Sequence, residues 1–171
     1  VIGDPTLGGA PASKSKLHLV DGSFTQDNPV NPVVKGGSGL SSRMPGVTAL
    51  RTKVQGRYAY VTFLGAGSNA FRIIDVSNPN LPAVVGGDNL TTGLPGVNPG
   101  DLYVSGRYAY LIFDTSTAAD MLRIIDISNP SKPVVVGGSG LSSRMPSVTP
   151  LMIFVSGRYA YMTFKGSGIN A

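Results

Sequence analysis

The chain has 171 residues and a formal net charge of +5, with 42% hydrophobic residues, only 13% charged residues and no cysteine. That leaves enough apolar mass for a folded core, and it excludes disulfide stapling, thiolate nucleophiles and cysteine-bound zinc or iron–sulfur clusters. The 23 glycines and 13 prolines make up about a fifth of the chain, and no stretch keeps a helical period, so strands and turns are predicted.

In chain order, residues 1–16 ("VIGDPTLGGAPASKSK") are small, polar and aperiodic, and read as a flexible or extended arm. The start at Val1 suggests a processed or excised product. A short apolar strand ending in aspartate follows, "LHLVD" (17–21), and then "NPVNPVVKGG" (28–37), a turn and a second strand. The intervening "GSFT" lengthens this first turn. A Gly/Ser connector leads to a predicted strand, "VTALRTKV", a glycine turn and another strand in "GRYAYVTF" (56–63).

The same order then repeats at a spacing of about 50 residues. "FRIID" (71–75), "NPNLPAVVGG" (78–87), "GDLYV" and "GRYAYLIF" (106–113) form the second pass. "LRIID" (122–126), "NPSKPVVVGG" (129–138), "VTPLMIFV" and "GRYAYMTF" (157–164) form the third. Each unit offers about four short strands, which predicts an all-β repeat protein.

Local chemistry supports the boundaries. Asn-Pro followed by a second proline three residues on cannot lie inside a central strand. Asp75, Ser77 and Asn78, and likewise Asp126, Ser128 and Asn129, can bond nearby backbone amides and close the turn, so these aspartates, with Asp21, read as turn-formers. Alternation puts Tyr58, Tyr60 and Thr62 on one side of a strand and Ala59, Val61 and Phe63 on the other, both apolar. Two apolar faces predict sheets stacked face to face, as in propeller blades. Tyr108 and Tyr159 stand at the place of Tyr58, and Arg57, Arg107 and Arg158 follow the glycine turn, available to pair with a turn aspartate on an adjacent strand.

The ordered phrases "RIIDVSNPNLPAVVGG" and "VSGRYAYV" resemble the LVIVD repeat of bacterial and archaeal secreted or surface proteins, over about residues 17–171. The resemblance implies a β-propeller and an extracellular or cell-surface location, and it implies no catalytic residues. The frame is offset: the chain enters at "LHLVD" and stops after the third "GRYAY", so an incomplete blade is expected at each end. Closure within one chain predicts a three-fold prism or trefoil-like form, while completion between chains predicts a ring or head-to-tail polymer. A fragment of a longer array fits the same ends. Units one and three share "GGSGLSSRMP", against "GGDNLTTGLP" in the middle one, an alternation that suggests a two-unit super-repeat.

Candidate binding residues are sparse. Arg43 and Arg144 in the connectors can hold an anionic group or glycan by forked hydrogen bonds. Asp114 and Asp120 can contribute oxygen ligands to calcium, without EF-hand spacing. His18, the sole histidine, occupies the position of Arg72 and Arg123 and reads as scaffold. Asn89-Leu90-Thr91 fits the N-glycosylation pattern. The cations are spread over repeat positions rather than clustered, which argues against nucleic acid as partner, and no apolar run is long enough for a membrane span. No acid/base constellation recurs and no cofactor motif opens a helix. The expectation is a non-enzymatic scaffold that self-associates, with a carbohydrate- or anion-binding adhesion module as the alternative.

Overall fold

The computed structural model describes residues 18–20, 23–25, 34–37, 40, 43–90, 93–115, 120–139, 141 and 149–165. The chain divides into two compact units, Val1–Val34 and Lys35–Ala171. In the first, β1 (His18–Val20) and β2 (Ser23–Thr25) form an antiparallel hairpin. Ser23–Thr25 thus forms a strand where a lengthened turn was expected, and residues 34–37 of "VVKGG" are not a strand. The arm at 1–16 lies outside the described residues.

The second unit is built from three successive antiparallel sheets. Blade one contains β3 (Ala49–Gln55), β4 (Tyr58–Phe63), β5 (Phe71–Asp75) and β6 (Ala83–Gly86), paired in that order. Blade two repeats it with β7 (Pro99–Ser105), β8 (Tyr108–Phe113), β9 (Leu122–Asp126) and β10 (Val134–Gly137). The third sheet holds β11 (Thr149–Ser156) and β12 (Tyr159–Lys165) alone. No α-helix occurs among the described residues, and the sheets do not close into a barrel, so a three-fold barrel-like closure is not what these strands form.

Each first hairpin turns on glycine. Gly56, Gly106 and Gly157 have φ near +60°, a left-handed backbone that other L-residues enter at a cost. A bulge recurs in the first strand of each of these hairpins, where register slips between Ala49 and Arg51, between Pro99 and Asp101 and between Pro150 and Met152.

Period-two alternation sorts the side chains into two apolar faces, as expected. Tyr60, Phe71 and Ile73 of blade one pack against Leu102, Ala109, Leu111, Phe113 and Ile125 of blade two. The other face of blade two, through Ile112, Leu122 and Tyr110, meets Ile153, Val155 and Met162 of the third sheet. The far face of blade one, Ala59, Val61 and Phe63, is covered by Leu40 and Met44 of the connector that precedes it. Strands β3, β7 and β11 adjoin one another. Asp101 ties them, pairing with Arg51 at 3.6 Å and accepting the Ile153 amide at 3.1 Å.

Candidate functional site

The seams between blades come first, because they define what a complete blade looks like. Gly86 ends β6 directly beneath the Asn129-Pro130 turn of blade two: a Cβ there would stand 2.0 Å from the Pro130 carbonyl oxygen. Gly36 repeats the contact, with its Cβ position 2.3 Å from the Pro79 oxygen of blade one. Gly36 therefore meets blade one as the end of β6 meets blade two. Gly137, the third equivalent, has nothing nearer than Ile124 at 3.7 Å among the described residues.

The turns that the glycines touch are closed by their own side chains. Asp75 accepts the Ser77 amide at 2.9 Å and Asn78 accepts the Asn80 amide at 3.0 Å. Asp126 and Asn129 do the same for Ser128 and Ser131 at 2.9 and 3.2 Å. In both complete blades the arginine after the glycine turn then reaches the aspartate of the third strand. Arg57 donates to Asp75 through Nε at 3.0 Å and also through Nη2, and Arg107 donates to Asp126. Each guanidinium lies over the neighbouring ring, Tyr58 or Tyr108, at 5.3 Å.

The hydrogen bond from Arg107, with the Ser128 hydroxyl and amide, brings the Asp126 carboxyl from 3.8 down to about 2. Arg57 and Ser77 act on Asp75 in the same direction. Carboxylates with lowered folded-state pKa values contribute stability above their unfolded values, near 4, that is lost as the pH falls through the folded values. Thermal melts followed by circular dichroism are expected to be flat from pH 5 to 8 and to drop between about pH 4 and pH 2. Asp126→Asn is expected to shrink that drop; a variant with the parent's full acid dependence would show that this carboxylate is not responsible.

A second network fixes the connectors. Arg72, only 3% exposed, donates to the carbonyl oxygens of Arg43, Phe71 and Asn69 at 2.6, 2.7 and 3.1 Å and to Asn69 Oδ1 at 2.8 Å. Burial pushes its guanidinium pKa down. In blade two Arg123 holds the Gly93 carbonyl and the Asp120 carboxylate at 3.1 and 2.8 Å. Arg43 forks onto Asp88 through Nε and Nη2 at 3.0 and 2.8 Å and also reaches the Val84 carbonyl.

Of the predicted binding residues, Arg43 and Asp120 are held in ion pairs within the fold. Arg43 is engaged by Asp88, and Arg144 lies outside the described residues. Asp120 is paired with Arg123, Asp114 is exposed, and no group of three or more His, Asp or Glu that could hold a metal occurs among the described residues. Asn89 is exposed, while Thr91 of its acceptor pattern lies outside the described residues. The partners Asp88 and Asp101 and the contacts of Gly36 and Gly86 were not anticipated. The Gly-Gly pair recurs before every connector, and that recurrence was the available signal.

The third sheet stands apart. Strand β12 pairs with β11 alone among the described residues, whereas its equivalents β4 and β8 are paired on both edges. The register places Phe154 opposite Tyr161 and Ser156 opposite Tyr159, on the face turned away from Ile153 and Val155. On that face Met152, Phe154, Tyr159 and Tyr161 are 64, 56, 64 and 57% exposed. Tyr60, the equivalent of Tyr161, is 2% exposed. Leu141 is 40% exposed where Leu90 is 4%. These residues make an apolar face beside a strand edge left open among the described residues.

Four-stranded antiparallel blades stacked through apolar faces, with the first strands adjoining, define a propeller-like repeat-based β domain. The profile described as LVIVD repeat matches residues 48–88 and 98–138, so the two complete blades are LVIVD repeats. No curated protein and no solved structure matches the chain.

Proposed function

We propose that this chain is a non-enzymatic structural or interaction scaffold of the cell exterior that associates with itself through its incomplete blades. The observation that carries the reading is the exposed Met152–Phe154–Tyr159–Tyr161 face with the open β12 edge, since Tyr58 and Tyr60, the blade-one equivalents of Tyr159 and Tyr161, pack into the cluster shared with the next blade. Burying four large apolar side chains stabilises an association by about 1.5–3 kcal/mol for each one fully buried, before the cost of lost freedom. The engagement of Arg43 by Asp88 leaves the anion-binding alternative without a free cation there.

The mass in solution tests it. Light scattering across a concentration series is expected to give a defined multiple of the chain mass or a growing polymer, and Tyr161→Lys, which places a charge on the exposed face, is expected to shift the population towards the 17.7 kDa monomer. A well-folded monomer at all concentrations would overturn the reading.

A further inference from the structure

We propose that the third sheet is completed by a donated strand, the Leu17–Asp21 segment of a second copy of the chain, laid antiparallel on β12 with Asp21 opposite Tyr159. The inference rests on the scaffold reading above and specifies its interface.

Several observations describe the missing neighbour. In both complete blades the second strand pairs with a strand in one register: Tyr58 faces Asp75, Ala59 faces Ile74 and Tyr60 faces Ile73, and in blade two Tyr108 faces Asp126, Ala109 faces Ile125 and Tyr110 faces Ile124. Arg57 and Arg107 each bind the aspartate that this register delivers, and Arg158, their equivalent, has no ion pair among the described residues. Gly36 and Gly86 each lie under an Asn-Pro turn, and Gly137 lies under none among the described residues. The occupant is therefore an apolar strand ending in aspartate and followed by Asn-Pro.

One segment of the chain outside the complete blades carries that order, "LHLVD" followed by "NPVNPVVKGG". Laid in the same register, it puts Leu19 opposite Tyr161, Val20 opposite Ala160 and Asp21 beside Arg158. The backbone of β1 is paired with β2 along one edge, and no described strand uses its other edge.

A second copy is favoured over the chain's own segment by blade number. Self-closure would make a ring of three blades, whereas closed propellers have four to eight; two chains exchanging strands make six. Exchange of an identical element between copies adds no new kind of contact.

The absence of cysteine makes the register directly testable. Val20→Cys and Ala160→Cys chains, mixed and oxidised, are expected to yield a disulfide-linked pair of twice the chain mass. Val20→Cys with Thr163→Cys, which is out of register and on the other face, is expected to yield none. A doubly substituted chain that cross-links only within itself would overturn the proposal in favour of self-closure. Self-association by light scattering without the in-register cross-link would overturn the donated strand while leaving the scaffold reading intact; monomers without a cross-link would overturn both.

Charge exchange supplies a second route if the cysteine variants fold poorly. Asp21→Arg and Arg158→Asp are each expected to weaken association about fivefold, and together to restore it. Equal losses that add in the double variant would overturn the proposal.

Discussion

Gly86→Ala is expected to destabilise the second unit by about 3 kcal/mol, the upper end for overpacking against atoms that cannot move aside. The added methyl would stand 2.0 Å from the carbonyl oxygen of Pro130, backbone rather than the flexible end of a side chain, and 3.2 Å from Pro133. Relief would require blades one and two to separate, exposing the cluster that holds Phe71, Leu111 and Phe113. Gly137→Ala is the control on the dilute, unassembled chain: at the equivalent place in the repeat, with 3.7 Å to Ile124, it is expected to change stability there by no more than about 0.5 kcal/mol. Urea denaturation of both variants measures the difference. Equal effects would show that the close approach at Gly86 does not constrain the sequence.

Arg72→Met is expected to lose a similar amount, about 3 kcal/mol, although methionine keeps much of the apolar stem. The cost lies in the oxygen atoms left behind. Those of Arg43, Phe71 and Asn69 all accept from this one guanidinium, and an unsatisfied buried acceptor costs about 1–3 kcal/mol. Losing the bond to the Arg43 carbonyl also frees the connector, so tryptic cleavage after Arg43 is expected to accelerate alongside the lower urea midpoint. A loss under about 1 kcal/mol with unchanged cleavage would mean that water replaces the guanidinium.

Several parts of this architecture were legible in the residues because they rest on local rules. Alternation along "RYAYVTF" sorted Tyr60 from Val61 onto opposite faces, and the two fall in separate clusters. Asn-Pro chemistry located the turns, and in the two complete blades the arginine after the glycine turn, Arg57 or Arg107, finds its aspartate. Strand β2 was missed because "GSFT" has neither length nor alternation to separate it from a turn. The seam contacts were also hidden, since Gly86 reads as a strand-ending glycine until the next blade's turn is placed above it. The alternation of connector types was visible without its cause. Arg43 from one type meets Asp88 from the other, and Gly93, at the place of Arg43, has no room for more, with its Cβ position 2.6 Å from Val135.

The repeated glycine seam has an evolutionary consequence. Because each blade contacts the next through the same few positions, stability approximates a sum of unit terms and nearest-neighbour couplings, as along a one-dimensional lattice. A gene duplication or deletion that moves whole units therefore creates no junction the chain has not already solved. The Arg43–Asp88 and Arg51–Asp101 pairings join unlike residues of successive units, so such exchanges are least disruptive when they add or remove blades in twos.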